Sequence, residues 1–449
     1  MLREIFYRQF ADIRPHEWPR ALSLSLFFFL IIATYWILKP VKRALIINHF
    51  QEDPLELLGI TLTGAQAEQL GKVLNLVAVY VVVVLFVRLS RRLARHHLVQ
   101  IFALSFGALF VVFSRTIHSG SDVMVWSFYI VGDMFNTAMV AIFWAFTGDI
   151  VHSEEAKRTF GLIGFGGVLG GFLGATLVSS GVMTLGRATL LAICVAPMVI
   201  ISVLAHAIHR RAAERDHEPE DAPAASESRQ SAATEGMRLV LGSRYLLAIA
   251  GLIAFYELVS NVIDFQLSAM VELTIPHSLQ RDAFFGRIGQ IVGVVSMLVQ
   301  FFLTSFILRR FGVRVALSFL PLAILAATAG FLLMPLLVFA ASMSVADNAL
   351  NYSINQSARE ALYIPTSKDA KYKAKAFIDM FIQRLAKVVS VALNLVFSVA
   401  FVSGVRWLSL VVIVMLIAWV GLVRYVGRGF RKAEERTAME EAQAANRAR

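Results

Sequence analysis

The sequence has few charged residues and almost no cysteine. Of its 449 residues, 16% are charged, whereas soluble domains carry about a quarter. The one cysteine, Cys194, excludes an internal disulfide and a metal site built from cysteines. The chain also lacks a His-Glu-x-x-His helix, a nucleophilic serine turn and a histidine cluster, and we expect His96 and His97 to be solvated in a basic loop. These absences predict no enzymatic activity, no metal and no cofactor.

Long apolar runs take the place of charge, since 57% of the residues are hydrophobic and the mean hydropathy is +0.68. A helix needs about 20 mostly apolar residues to cross a bilayer. The first run, 21–38, is too long for a secretory signal and is followed by many more. The chain is therefore expected to be an all-α polytopic membrane protein of about twelve transmembrane helices. The predicted spans are 20–47, 68–88, 98–115, 122–150, 157–181, 187–208, 245–272, 283–308, 313–331, 335–362, 371–401 and 405–426.

One long polar stretch divides these spans into two sets of six. Residues 214–230 are rich in Glu, Asp, Pro, Ala and Ser and cannot bury a core. We interpret the stretch as a flexible linker. The predicted organisation is an N-terminal half at 1–208, a cytoplasmic linker at 209–243, a C-terminal half at 244–428 and a cytoplasmic tail at 429–449.

Short motifs recur at equivalent places in the two halves. Ser153-Glu-Glu-Ala-Lys157 follows the fourth span, and Ser367-Lys-Asp-Ala-Lys371 follows the tenth. An arginine pair precedes the third and the ninth span, each time before a segment that ends in Ala-Leu-Ser-Phe. Parallel repeats of this kind are typical of major-facilitator transporters. We expect these loops to form a gating latch, through Arg91, Arg92, Arg309, Arg310, Lys157 and Lys371.

The net charge of +11 is unevenly distributed between the loops. Lysines and arginines cluster in the loops of one side, whereas the loop 48–69 on the other side has none and its neighbours have single arginines such as Arg187 and Arg281. The positive-inside rule places both termini and the linker in the cytoplasm. Basic residues in short loops between spans indicate membrane orientation, so we expect a lipid bilayer and no nucleic acid as partner. The sequence leaves the oligomeric state open and is compatible with a monomer.

Ionisable side chains inside the spans are the main functional candidates. Inserting each of them into the bilayer costs about 2.5–3.5 kcal/mol, so they face the bundle interior or a cavity. They suit a central basic cavity in which cations bind an anionic solute and carboxylates gate it. The alternative is that they form internal salt bridges that hold the halves together. Glu257 and Asp379 are the expected gating carboxylates. The expected substrate-binding residues are Lys39, Lys42, Asp133, Asp264, Arg359, Arg384 and Lys387, with Asn351 and Asn355 from an unusually polar tenth span.

A run of glycines occupies the fifth span. It lacks the Gly-Lys-Ser/Thr ending of a nucleotide-binding loop and follows no strand. Spacings of three and four residues are typical of helices that pack closely against each other. The run comprises Gly161, Gly164, Gly166, Gly167, Gly170, Gly171 and Gly174.

Several segments resemble one transporter family over most of the chain. They are Tyr35-Trp-Ile-Leu-Lys-Pro-Val-Lys42, Phe128-Tyr-Ile-Val-Gly-Asp133, Glu155-Ala-Lys-Arg158, Asn261-Val-Ile-Asp264, Ala358-Arg-Glu-Ala-Leu-Tyr-Ile-Pro365 and Lys371-Tyr-Lys-Ala-Lys-Ala376. The family is that of the ATP/ADP translocases of plastids and intracellular bacteria. The resemblance implies a secondary transporter in a bacterial inner membrane that exchanges nucleotides by alternating access.

The resemblance also implies roles for four residues. Lys42 and Arg359 would contact phosphate, and Asp133 and Asp264 would serve as gating groups or counter-ions. Aspartate replaces the family's glutamate at two of these positions and arginine replaces its lysine at another, which shifts each charge by about a bond and leaves the cargo open. One alternative is a proton-coupled carrier of another organic anion, with Asp264 or Glu257 carrying the proton. Another is a non-transporting receptor or scaffold on a carrier fold.

Overall fold

The computed structural model describes residues 13–57, 59–90, 93–151, 153–213, 229–363, 366, 373–400 and 404–447. Almost all of them are helical. The helices are α1 Trp18–Glu52, α2 Gly64–Ser90, α3 Arg95–Thr116, α4 Asp122–Ile150, α5 Ser153–Ile193, α6 Val195–Ala213, α7 Arg229–Gly242, α8 Arg244–Thr274, α9 Ser278–Leu298, α10 Ser305–Leu333, α11 Leu337–Leu350, α12 Gln356–Ala361, α13 Lys375–Phe377, α14 Gln383–Ala400 and α15 Leu408–Arg447. A small antiparallel ribbon pairs β1, Leu55–Leu57, with β2, Ile60–Leu62.

Ten helical stretches in the described part of the chain are long and apolar enough to cross a membrane. One of them, Arg158–Arg211, has 54 residues and covers two predicted spans. The backbone leaves helical geometry at Gly186, where φ is 75°, and this break separates the two spans. The tenth predicted span is a further helix, divided into α11 and α12 by a π-helical turn. The predicted class, an all-α membrane protein of about twelve spanning helices, is confirmed.

π-helical turns interrupt the described part of the second half of the chain, among them Val299–Thr304, Asn351–Asn355 and Ile378–Ile382. Such turns are rare and occur frequently at functional sites. Two of them carry predicted site residues, Asn351 and Asn355 in one and Asp379 in the other. The backbone irregularity therefore coincides with the polar part of the spans.

The described helices form two compact units. Unit 1 comprises Met1–Ala222 with Ile275–Gly293, and unit 2 comprises Pro223–Thr274 with Val294–Arg449. Unit 1 thus includes a segment that the sequence assigns to the C-terminal half. The boundaries given in the sequence analysis stay predictions.

Part of the predicted flexible linker is a helix. In α7, the Glu235 carboxylate forms an ion pair of 2.6 Å with the Lys373 ammonium, and Gly236 packs closely against the Lys373 backbone. Residues 229–242 are helical, whereas 214–228 lie outside the described residues.

The glycine run brings α5 against α1 at backbone distance. A β-carbon added at Gly166, Gly170 or Gly174 would overlap a carbonyl oxygen of α1. Backbones approach this closely only where side chains are absent. The predicted role in helix packing holds for these three glycines, whereas a β-carbon at Gly164 would have no neighbour within 4 Å.

Candidate functional site

Lys42 lies at the centre of a polar cluster in unit 1. Its side chain is 6% exposed, its ammonium forms an ion pair with Oδ1 of Asp133 on α4, and it lies 4.4 Å from the centroid of the Tyr129 ring. Asn75 on α2 donates a hydrogen bond of 2.9 Å to the other oxygen, Oδ2, of Asp133. The structure thus joins two predicted site residues. It adds Asn75 and Tyr129, which carry no charge and gave no signal in the hydropathy pattern.

The other two cations of α1 have different surroundings. The Nζ atom of Lys39 lies 4.6 Å from the centroid of the Trp36 ring. Arg43 pairs with Glu68 of α2 at 3.3 Å, and both side chains are buried. The sequence analysis did not select Glu68, because it stands at the first position of a predicted span.

Two arginines that the sequence placed in outer loops are largely buried in unit 1. Arg281 is 0% exposed and donates hydrogen bonds to the side chains of Asn48 and Gln51. Arg187 donates a hydrogen bond of 2.7 Å to Asp282, which is also 0% exposed. The loop assignment was wrong for Arg281, which lies inside α9. A buried charge requires a partner of this kind.

Arg359 organises the corresponding cluster in unit 2. Its guanidinium lies 5.1 Å from the centroid of the Tyr256 ring and donates a hydrogen bond of 3.3 Å to Oδ1 of Asn351. Asn355 donates to the same oxygen at 3.0 Å. Three predicted site residues of the tenth span are therefore joined in one network, together with a tyrosine of α8.

Carboxylates surround this network. Lys387 and Arg359 are electrostatic partners of Glu257 on α8. Ser260, one turn further along α8, donates a hydrogen bond of 2.6 Å to the buried carboxylate of Asp347. The cluster in unit 2 thus combines cations with acidic groups, as the sequence predicted.

The remaining predicted site residues of unit 2 are Asp379, Asp264 and Arg384. Asp379 interacts electrostatically with Lys375 and Arg359. Asp264 is half-buried on α8 and acts electrostatically on Tyr352, and Arg384 is half-buried on α14.

The predicted latch is only partly within the described structure. Arg309 and Arg310 are exposed on α10, near a break in the helix at Gly312, where φ is 76°. Arg91, Arg92, Lys371 and the side chain of Lys157 lie outside the described residues. The latch therefore stays a prediction.

Charged neighbours of the latch motifs form ion pairs inside their own unit. In unit 1, Arg158 pairs with Glu17 at 2.6 Å, and Arg20 pairs with Glu155 at 3.1 Å. These contacts fix the start of α5 to the start of α1.

The expectation for one histidine was wrong. His96 is 9% exposed, and its ring stacks on that of His209 with centroids 3.8 Å apart. It is buried because α3 begins at Arg95 and directs His96 towards α6. Among the described residues, no group of three or more His, Cys, Asp or Glu side chains is placed to hold a metal ion.

Comparisons with known proteins identify the family of this chain. The sequence model of the TLC ATP/ADP transporter family matches residues 122–350 and 332–430. ADP,ATP carrier protein 1 of Chlamydia muridarum is 23% identical over 84% of this chain and 81% of its own length. The plastidic ATP/ADP-transporter of Solanum tuberosum is 22% identical over 96% of this chain and 76% of its own length.

Solved transporter structures share the fold. A D-xylose-proton symporter superposes with a TM-score of 0.63 at 13% identity, over 90% of this chain and 96% of its own. A bacterial homologue of the human lysosomal transporter Spinster gives 0.63 at 11% identity, over 94% and 98%. With the family match covering well over half of the sequence, the chain belongs to the TLC ATP/ADP transporter family of membrane transporters and is not an enzyme.

Proposed function

We propose that this chain exchanges nucleotides of the ATP/ADP class across a membrane by alternating access. The observation that carries the proposal is that each unit holds a cation within a spanning segment beside polar partners, Lys42 with Asp133 and Arg359 with Asn351. Intramembrane charge is expensive and marks substrate pathways. The names of the Chlamydia and Solanum relatives support nucleotides as the cargo.

The two cations suit the two ways in which a protein binds phosphate. Arg359 offers a planar fork that can donate two parallel hydrogen bonds, and Lys42 offers a compact charge. Arg359 donates a hydrogen bond to the neutral amide oxygen of Asn351, which is a weak acceptor. A phosphate oxygen is a stronger acceptor and can take its place.

Asp133 acts as an internal substitute for the cargo. A buried lysine without a counter-ion is strongly destabilising. Asp133 compensates Lys42 when no nucleotide is bound and competes with phosphate when one arrives. This competition keeps binding weak enough for release, which an exchanger requires on both sides of the membrane.

The cellular setting follows from the loop charges. We place the protein in a bacterial inner membrane with both termini in the cytoplasm, because lysine and arginine cluster on that side. A monomer is the proposed transport unit. Since the sequence has no hydrolytic motif, nucleotide gradients drive the exchange.

Uptake of labelled ATP into proteoliposomes tests the proposal. The vesicles contain ADP, inorganic phosphate, citrate or buffer alone, each with and without an inward proton gradient. Internal ADP should stimulate uptake and the proton gradient should not. Uptake driven by the gradient without internal nucleotide would indicate a proton-coupled carrier instead. No nucleotide uptake by monodisperse protein with a cooperative thermal transition would contradict the cargo assignment.

A further inference from the structure

The tenth span presents two neighbouring polar stripes. The first is buried and consists of Asp347, Asn351 and Asn355. The second lies one residue further along the helix and is open. It consists of Asn348, which is half-buried, and the exposed residues Tyr352, Gln356 and Glu360.

The open stripe cannot face lipid. Amide and carboxyl groups in hydrocarbon cost several kcal/mol when they lack partners. Glu360 is paired with Lys375, and Asn348 is bonded to the Ser344 carbonyl. Gln356 directly follows the π-helical turn inside the predicted span 335–362, and its side chain is exposed. Water is the partner that suits this exposed amide.

Tyr352 is the aromatic member of this stripe, and its side chain is 55% exposed. The acidic groups that act electrostatically on it are Asp347, Glu257 and Asp264. All of them belong to the polar side of unit 2 described above. The ring of Tyr352 is thus exposed on unit 2 within electrostatic reach of these charged residues.

A water-exposed ring on a polar transport surface is suited to stacking. Every nucleobase has a π-face, and stacking on an aromatic side chain contributes about 1–3 kcal/mol per base. Asn and Gln amides match the donor and acceptor pattern of an adenine edge. Asn348 is already held in place by a hydrogen bond of 2.9 Å to the Ser344 carbonyl.

The phosphate-binding cation belongs to the same helix. Arg359 follows Tyr352 by seven residues, and its guanidinium reaches back to Oδ1 of Asn351, the residue that precedes Tyr352. The Arg359 guanidinium and the Tyr352 ring therefore belong to adjacent parts of the tenth span, where one ligand can contact both.

We propose that Tyr352 is the platform on which the base of the transported nucleotide stacks, with the amides of Asn348 and Gln356 at the base edge and Arg359 at the phosphates. The inference rests on the proposed function and deepens it. It assigns the cargo to nucleoside phosphates, preferably of adenine, and excludes bare polyphosphates and small organic anions as preferred ligands. Tyr352 becomes a specificity residue that sequence reasoning about charge could not select.

The experiment is calorimetric titration of the purified full-length chain with ATP and, separately, with inorganic tripolyphosphate, which has no base. Tyr352→Leu should weaken ATP binding about tenfold or more and leave tripolyphosphate binding unchanged. Tyr352→Phe keeps the ring and should bind ATP within about threefold of the unmodified protein. Tyr425→Leu, at a 50% exposed tyrosine of α15, is the matched control and should change neither affinity.

Unchanged ATP affinity in Tyr352→Leu would overturn the assignment. Equal weakening of ATP and tripolyphosphate would also overturn it, because the tyrosine would then act on the phosphate site or on folding. If the unmodified protein binds tripolyphosphate as tightly as ATP, the base contributes nothing and the stacking platform is rejected, although anion transport stands. If it binds neither ligand, the proposed function itself fails.

Discussion

Asn75 donates a hydrogen bond of 2.9 Å to Oδ2 of Asp133, the carboxylate oxygen opposite the one that pairs with Lys42. The carboxylate is therefore held between a neutral donor on α2 and a buried cation on α1. In this position it neutralises Lys42, while a neutral amide holds its second oxygen. This relationship leads to the first prediction.

Asp133→Asn should bind ATP more tightly and exchange it more slowly. The substitution removes the internal anion that competes with phosphate for Lys42. Hydrogen bonds to charged groups contribute about 1.5–3 kcal/mol, so the gain in affinity should be about tenfold or more. Calorimetry gives the affinity, and counterflow gives the exchange rate.

Asp149→Asn is the matched control for that substitution. Asp149 lies on the same helix and pairs with Arg95 at 3.1 Å, but its side chain is 47% exposed. Exposed pairs contribute little, so neither affinity nor rate should change much. A tenfold loss of ATP affinity in Asp133→Asn would show that the carboxylate positions the cargo and does not compete with it.

Breaking the Arg187–Asp282 pair should destabilise unit 1. Asp282 is fully buried, and removal of one partner of a buried pair typically costs about 3–5 kcal/mol. Asp282→Ala should lower the thermal unfolding temperature markedly, and adding Arg187→Leu should restore part of the loss. Asp122→Ala, at a 60% exposed aspartate paired with His49, should cost less than about 1 kcal/mol. Equal effects of Asp282→Ala and Asp122→Ala would argue against a structural role for the buried pair.

Two glycines of the same helix should respond in opposite ways to alanine. A β-carbon at Gly170 would overlap the Phe29 carbonyl of α1, whereas one at Gly164 would have no neighbour within 4 Å. Gly170→Ala should reduce the yield of monodisperse protein and lower its unfolding temperature. Gly164→Ala should be neutral, or stabilising by about 0.5–1 kcal/mol. Similar stability of the two variants would contradict the packing of α1 against α5.

Acid should remove the stabilisation that Glu17 provides. Its hydrogen-bonded pairing with Arg158 lowers the Glu17 pKa from 4.5 to about 2. Because the folded-state pKa is lowered, the contribution is complete above about pH 4.5 and is lost as the pH falls towards 2. Glu17→Gln should therefore lower the unfolding temperature at pH 7. The difference in unfolding temperature between this variant and the unmodified protein should become smaller below pH 4.5. Glu52→Gln, at the exposed other end of α1, serves as the control, and a pH-independent difference for Glu17→Gln would contradict the pairing.

The sequence predicted the parts of this architecture that depend on hydropathy. The spans and the selection of Lys42 and Asp133 as site candidates follow from the cost of placing polar groups in lipid. The close packing of the glycine helix follows from glycines spaced three and four residues apart. The same rule identified Arg359 with Asn351 and Asn355, because a polar helix in a membrane must face water or other polar groups.

Other features could not be predicted because they depend on neighbours that are distant in sequence. Asn75 and Tyr129 are neutral, so only the fold reveals that they contact Asp133 and Lys42. Arg281 resembles an ordinary loop arginine until α1 supplies its acceptors. His96 resembles a solvated residue until α6 brings His209 against it.

The most direct test of the central claim is ADP-driven counterflow of labelled ATP with Arg359→Gln in place of the unmodified protein. Arg424→Gln, at an exposed arginine of α15 in the same unit, is the matched control. Nucleotide exchange through Arg359 predicts rapid counterflow in the unmodified protein and in Arg424→Gln, and a loss of at least about tenfold in Arg359→Gln. Equal counterflow in all of them would contradict the claim that Arg359 binds the transported phosphate.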